Sequence, residues 1–222
     1  MAFNYSPKIV RDNSLVLCLD AANPNSFVSG GTVWRDISKG GNNGTLIGGV
    51  TYNSSNNGSL VFNGSTGYID LGYKPIINTA TTFTLNVWVK TTTTAEQVIF
   101  STVNATPNLG WVVEIYQSKF LMQVFPSASY TQSPKILSIN TWYNITTTYN
   151  NGSIIYYING VQDGTASYTF TPSLNSIYIS RYTAGILFFN GSIPNVAFYN
   201  RVLSSTEVLQ NYNALKGRYN LR

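Results

Sequence analysis

TWYNITTTYNNGSIIYYINGVQDG, residues 141–164, decides the architecture. Residues 142–149 are rich in β-branched and aromatic side chains, which fit a pleated, half-buried surface. Asn150-Asn151-Gly152 interrupts them, and residues 153–158 resume the same character. Asn159-Gly160 follows, and this pair favours a type I′ turn because both central residues take positive φ. Three strands and two turns make an antiparallel meander. A meander with an apolar face needs a second layer to cover it, so the rest of the chain has to supply a partner sheet.

Working outward, Phe83, Leu85, Val87 and Val89 alternate with Thr84, Asn86, Trp88 and Lys90. This period of two predicts a strand with one face toward the core. Shorter strands are predicted at 15–19, 59–62, 68–71, 98–102, 111–116, 120–125, 176–180, 186–189 and 196–199. The 59–62 and 68–71 strands flank a turn at Asn63-Gly64. Residues 20–49 are loop-rich, with Trp34 as an anchor, and residues 126–135 form a polar loop that carries Tyr130. Near the end, Ser204-Ser205-Thr206-Glu207 is a capping box, with Leu203 and Val208 spaced as its hydrophobic staple. One short helix therefore starts there, and Val208, Leu209 and Tyr212 are expected to lay it on the sandwich. The organisation read from the chain is an N-terminal arm over 1–14, one domain over 15–213 and a solvated C-terminal tail over 214–222.

Three segments in order resemble the laminin-G-like (concanavalin A-like) jelly-roll family: the meander itself, GSLVFNGSTGYIDLG (58–72) with FTLNVWVK (83–90), and NGSIPNVAFYNRVLSSTEVLQNY (190–212). The resemblance spans roughly residues 15–213. It implies an all-β, two-sheet antiparallel jelly-roll sandwich with one short C-terminal helix. The opening, LVLCLDAANPNSF…TVWRDIS…GNNGTLIGG, is similar to laminin-G-like proteins of tailed-phage virions and of some bacterial surfaces.

Composition narrows the function. The chain has 222 residues, 43% of them hydrophobic and only 9% charged, against about a quarter charged in ordinary domains. Amides, hydroxyls and glycines must therefore cover the surface. The net charge is +5, but the basic residues are scattered, and Lys216, Arg218 and Arg222 form the one loose cluster. Without a basic stripe, nucleic-acid binding is not indicated. Cys18 is the single cysteine and lies in the apolar run at 15–19, so it reads as a small buried hydrophobe. The first twelve residues lack the apolar stretch of a signal peptide. No run is long enough for membrane insertion. The Asn-x-Ser/Thr sites at Asn43, Asn63, Asn144 and Asn190 follow from composition and carry no meaning without export.

The chemistry is sparse. Histidine is absent, which removes the commonest general base and the usual nucleophile pairs. Glycosidases need two carboxyls about 5–10 Å apart, and no Glu-x-Asp or Glu-x-x-Glu pattern occurs. Glu114 is the one acid inside a strong strand. Many members of the resembled family bind calcium, which wants several hard oxygen ligands. Where that family tends to read Phe-Asp-Gly-x-x-Asp-Tyr, this chain has Asn63 and Gly67, and where it tends to read Gly-x-Ile-Asp-Glu-Val it has Pro194 and Asn195. The acids are missing at both places, leaving Asp70 and Asp163 as isolated candidates. No metal or cofactor is expected. A glycan platform needs an aromatic surface flanked by amides, and Trp111, Tyr116 and Tyr130 with Asn108 and Gln132 are the candidates.

These readings lead to a non-enzymatic virion protein of a tailed phage, made in the host cytoplasm: a capsid decoration, head-fibre or tail-associated sandwich. Its partners would be capsid or tail proteins of the same particle. Exposed edge strands or the N-terminal arm would add to them by main-chain pairing, and dimers or trimers fit the same picture. The alternative is a lectin-like adhesion module for a host-surface glycan. A glycoside hydrolase or lyase is a third reading.

Overall fold

The computed structural model describes residues 8–221. In chain order the strands are β1 (Leu15–Asp20), β2 (Val33–Trp34), β3 (Gly44–Ile47), β4 (Thr51–Asn53), β5 (Ser59–Asn63), β6 (Tyr68–Gly72), β7 (Thr82–Thr91), β8 (Gln97–Ser101), β9 (Asn104–Ala105), β10 (Asn108–Tyr116), β11 (Lys119–Phe125), β12 (Tyr143–Asn150), β13 (Ser153–Ile158), β14 (Val161–Ser167), β15 (Ile177–Ile179) and β16 (Asn190–Tyr199). A one-turn helix, α1 (Pro75–Asn78), precedes β7, and α2 (Ser205–Leu215) follows β16. One sheet runs β14-β13-β12-β7-β16-β5-β4 with β1 also on β16; the other runs β11-β10-β8-β15-β6-β3-β2 with β9 on β10. Every pairing is antiparallel. This is the two-sheet jelly-roll sandwich read from the sequence.

The meander forms as β12, β13 and β14. Both of its turns have two positive φ values: 45° and 103° at Asn151-Gly152, 54° and 79° at Asn159-Gly160. The Asn159 side chain tightens its turn by accepting from the Asn144 N–H at 2.9 Å.

Three elements depart from the pattern read in the sequence. First, β7 buries both faces, Thr84, Asn86 and Trp88 included. Helix α2 and the chain after it cover the outer face, which no local periodicity can report. Second, residues 186–189 are not a strand; Leu187 there takes a φ of 55°. The last strand instead starts at Asn190 and holds Pro194 at a register shift against β7 between Ser192 and Asn195. Such an irregularity is where a sheet tolerates proline. Third, Asn63-Gly64 is no hairpin turn. It carries the chain from β5 in one sheet to β6 in the other.

The core lies between the sheets. Phe83 of β7 stacks on Trp111 of β10 at 4.7 Å between centroids, and on Tyr149 and Phe198 of its own sheet at 5.1 Å each. Trp34 is fully buried in the same core, as its anchoring role requires.

The chain ends correct two expectations. The tail is not solvated. Tyr219 is buried against Trp88 at 4.4 Å and against Trp142 at 4.6 Å, and Arg218 grips Asp20 with both nitrogens at 2.8 and 3.0 Å. Arg222 lies outside the described residues. The arm beyond residue 7 is also fastened. The Val10 N–H donates to the Asn211 side chain at 2.8 Å, and Gln210 donates to the Lys8 carbonyl at 2.8 Å. Met1 to Pro7 fall outside the described residues. The capping box of α2 is present as read, with Ser204 and Glu207 exchanging bonds. Leu209 is 42% exposed, with its side chain reaching Gly160 of the β13–β14 turn, and Val208, Asn211, Tyr212 and Leu215 are the buried residues that hold the helix down.

The outer edge of β11 is covered by its own chain. Residues 126–135 fold back on it through bridges Leu121–Gln132 and Val124–Ser129. Asp163 of β14 accepts from the Ser133 hydroxyl and from the Lys135 N–H. The loop thus ties the outer strands of the two sheets together. Edge pairing with a neighbour, expected from the sequence, has no opening at β11, consistent with the general need to guard such edges.

Two substitutions test this architecture. A Cβ on Gly191 would lie 2.1 Å from the Lys90 carbonyl oxygen, at a φ of 148°. Gly191→Ala should lower the unfolding free energy by about 3 kcal/mol or more in urea titration; a loss under about 1 kcal/mol would mean that the β7–β16 ladder yields easily. Arg218→Ala strands the mostly buried Asp20 carboxylate and should cost about 2 kcal/mol in the same measurement.

Candidate functional site

The outward face of the second sheet is assembled by strand register. Thr45, Asp70, Tyr178 and Ser101 are successive neighbours, and Val112 and Gln123 continue the row. Ile69, Leu71, Ile177 and Ile179 point into the core, so alternation turns Tyr68, Asp70 and Tyr178 outward. Tyr68 meets Tyr178 edge to face at 5.8 Å and Phe188 at 6.3 Å. The Arg181 guanidinium sits 4.3 Å from both tyrosine rings and donates to the carbonyls of Tyr182 and Thr183. Arg181 therefore occupies the ring faces that a ligand would use.

The five residues read as a glycan platform separate into three groups. Trp111 is fully buried in the central stack and cannot present a ring; this corrects the sequence reading. Its parity is that of Val113 and Ile115, which face the core. The apolar neighbour Val112 hides that parity in the sequence, because it fills a separate cluster with Val98 and Phe125 on the opposite face. Tyr116, Tyr130 and Gln132 do come together. The two rings meet edge to face at 6.2 Å, and Gln132 donates to the Tyr116 carbonyl at 2.8 Å. Tyr130 is 41% exposed. Asn108 lies at the other end of β10, where its side chain accepts from the Tyr182 hydroxyl at 3.2 Å. Sequence reasoning missed Tyr68, Tyr178 and Arg181. The alternation Tyr-Ile-Asp-Leu at 68–71 was the available signal.

The acids tell a consistent story. Asp36 accepts from the N–H groups of Cys18, Ser38 and Asn42 and so organises the loop after Trp34. Asp70 accepts from the Gly72 N–H. Asp12 and Glu207 share Arg201 at 2.7 and 2.6 Å. The Ser14 hydroxyl and then Arg201 hold Asp12 down at about 2, and Arg201 holds Glu207 at about 2. Cys18 is buried, and its thiol is pushed up to about 12 by that burial.

Calcium does not fit where the family carries acids. The Asn63 side-chain oxygen accepts from the N–H groups of Ser65, Thr66 and Gly67 at 3.0–3.1 Å. Its lone pairs are directed into the loop. Asn195 is buried and donates to the Leu19 carbonyl. Neither position offers a carboxylate, and Asp163 is engaged by the 126–135 loop.

Glu114 stands apart. It is 4% exposed on the outward side of β10, beside Val98 and Leu121 in register. No hydrogen bond reaches it among the described residues. Burial, and secondarily the charge of Glu96, raise its carboxyl to about 7.

Against known proteins, the fold is that of a lectin- and glucanase-like β-sandwich. The profile of Laminin_G_3, the concanavalin A-like lectin/glucanases superfamily, matches residues 63–209, and the chain belongs to that family. Among solved structures it is similar to domain 4 of AbnA, an extracellular arabinanase from Geobacillus stearothermophilus, seen with arabinotriose. That match has 15% identity, covers 90% of this chain and 98% of that one, and has a TM-score of 0.69. It is similar to Trypanosoma rangeli sialidase in complex with sialic acid: 16% identity, 94% and 34% coverage, TM-score 0.72. It is also similar to the binding domain of Paraclostridial Mosquitocidal Protein 1: 16% identity, 91% and 52% coverage, TM-score 0.68. The chain spans about half the length of the toxin binding domains it matches. No curated protein sequence matches it.

Glu114 yields a pH prediction. Below pH 4.5 the carboxyl is protonated in both folded and unfolded chains. Between 4.5 and about 7 the unfolded chain releases the proton while the folded one keeps it. Stability therefore falls as pH rises through that window, by about 3 kcal/mol in total. Glu114→Gln should match the wild type at pH 4 and exceed it in melting temperature at pH 8. A difference that does not change with pH would show that the carboxyl ionises freely.

Proposed function

We propose that the protein is a non-enzymatic adhesion protein of a tailed-phage particle, working by surface contact. The observation that carries this reading is the employment of its acids. Of eight acidic residues, Asp12, Asp20, Asp36, Asp70, Asp163 and Glu207 each hold a loop, a turn or a chain end in place. Glu96 is exposed on a loop, and Glu114 is buried, with its carboxyl raised to about 7. Acid–base hydrolysis of a glycoside needs a proton donor and a second carboxyl across the substrate; six of the eight acids are bound into structure, and Glu114, the one carboxyl raised toward neutrality, is 4% exposed and so withdrawn from a substrate. The likeness of the opening, residues 15–49, to laminin-G-like virion proteins supports the particle as the site of action, with capsid or tail proteins as neighbours.

A second reading, carbohydrate binding without hydrolysis, is favoured by a specific likeness. An arabinanase domain of nearly the same extent carries arabinotriose. The two readings are compatible, since a particle protein can be the part that touches a glycan-coated cell.

The proposal expects the protein among the components of purified particles, detected by mass spectrometry, and expects the isolated protein to bind those particles. It also expects no reducing-sugar release from a polysaccharide panel. Its absence from the particles would sink the assignment to a virion, and sugar release abolished by Glu114→Gln would make the protein an enzyme.

A further inference from the structure

A cleft of about 420 Å³ opens where the β3–β4 turn faces the loop before β2. That volume is within the usual range for small-ligand sites, about 300–1,000 Å³. Its floor is aromatic and aliphatic. Tyr52, half-buried, supplies the accessible ring, lying 5.5 Å from the buried Phe27 at a 32° tilt, and Leu46 and Val50 flank it. Its rim carries three hydroxyl side chains, Ser29, Thr32 and Thr51, all exposed. None of these hydroxyls bonds to another described residue. The remaining wall is Ile47 and glycine backbone at residues 30–31 and 48–49. Gly48 and Gly49 have φ values of 56° and 68°, and their Cβ positions would run into the loop at 63–66. The turn can therefore be built only from bare backbone, and its main chain forms that part of the wall.

The chemistry of this lining selects a ligand class. No Lys, Arg, Asp or Glu borders the cleft, so nothing there compensates a charge moved out of water. An apolar, partly aromatic floor suits the C–H face of a pyranose or furanose ring. Unengaged hydroxyls and main-chain polar groups suit its hydroxyls. We infer that the cleft between Phe27, Tyr52 and the glycine turns is a binding site for an uncharged sugar residue. This rests on the adhesive function proposed above and names its ligand. It is separate from the Tyr116–Tyr130 pair at the edge of the second sheet.

The test is calorimetric titration and array binding of the full chain with neutral and acidic oligosaccharides. Two blocking variants place an indole in the cleft from opposite rims, Ser29→Trp and Thr51→Trp. Both alter exposed positions, and their melting temperatures, compared with the wild type, verify folding. Tyr130→Ala serves as the contrast. The expected result is binding of neutral saccharides, weakened at least about tenfold by both blocking variants and unchanged by Tyr130→Ala. Saccharide binding that survives both blocking variants, or that falls with Tyr130→Ala, overturns the cleft and leaves adhesion intact. A preference for acidic saccharides overturns the ligand class. Failure to bind any saccharide, with particle binding retained, also overturns the inference alone. Failure to bind both saccharides and particles removes the adhesive function with it.

Discussion

Phe83 is where the two sheets are joined. Its ring stacks on Trp111 across the interior and on Tyr149 and Phe198 within its own sheet, and Phe100 extends the stack from β8 through Trp111 at 5.4 Å. Stacked rings set a fixed spacing, and aromatic pairs contribute about 0.5–1.5 kcal/mol each beyond their buried area. Five strands, β7, β8, β10, β12 and β16, therefore keep one separation and one register. The other face of β7 repeats the device. Trp88 lies under Tyr212 and Tyr219, so the ends of the chain close over the same strand that centres the core. The arrangement leaves the tryptophan N–H groups of Trp34, Trp88 and Trp111 without partners among the described residues. Packing outweighs hydrogen bonding at these positions.

With so few charges, the molecule uses them as fasteners. Arg201 joins the arm to the start of α2, and Arg218 joins the last turn to β1. Carboxylates that cap backbone N–H groups shape the loops around Asp36 and Asp70. Asn63 takes the place of an acid and serves the same purpose without a cation. What is left for recognition is neutral: hydroxyls, amides, bare glycine backbone and a few tyrosines. Such a surface discriminates by shape and hydrogen-bond pattern, with little contribution from long-range attraction.

Most of the sandwich was legible. The meander, β7, β10, β11 and the capping box all follow from turn chemistry and short-range periodicity, which are local properties. The misreadings share one cause, tertiary cover. β7 looked half-exposed because α2, far along the chain, supplies its second wall. The last residues looked like a tail because Arg218 and Tyr219 find Asp20 and Trp88 only in the folded state. β16 was begun at residue 196 instead of 190, because Pro194 lies inside it and fits only where its partner strand shifts register. The candidate site was less legible. Tyr116, Tyr130 and Gln132 meet, but Trp111 could not be assigned to a face from a run in which Val112 and Val113 are both apolar and both buried on different sides.

The fastening of both ends onto α2 and Trp88 has a topological consequence. Ile9 and Leu221 pack against the same small cluster, so the first and last described segments leave the sandwich side by side. Domains with neighbouring ends accept circular permutation and insertion into a host loop. A short bridge between residues 8 and 221, with a new opening in the exposed loop at residues 94–96, would leave the order of strands within both sheets unchanged.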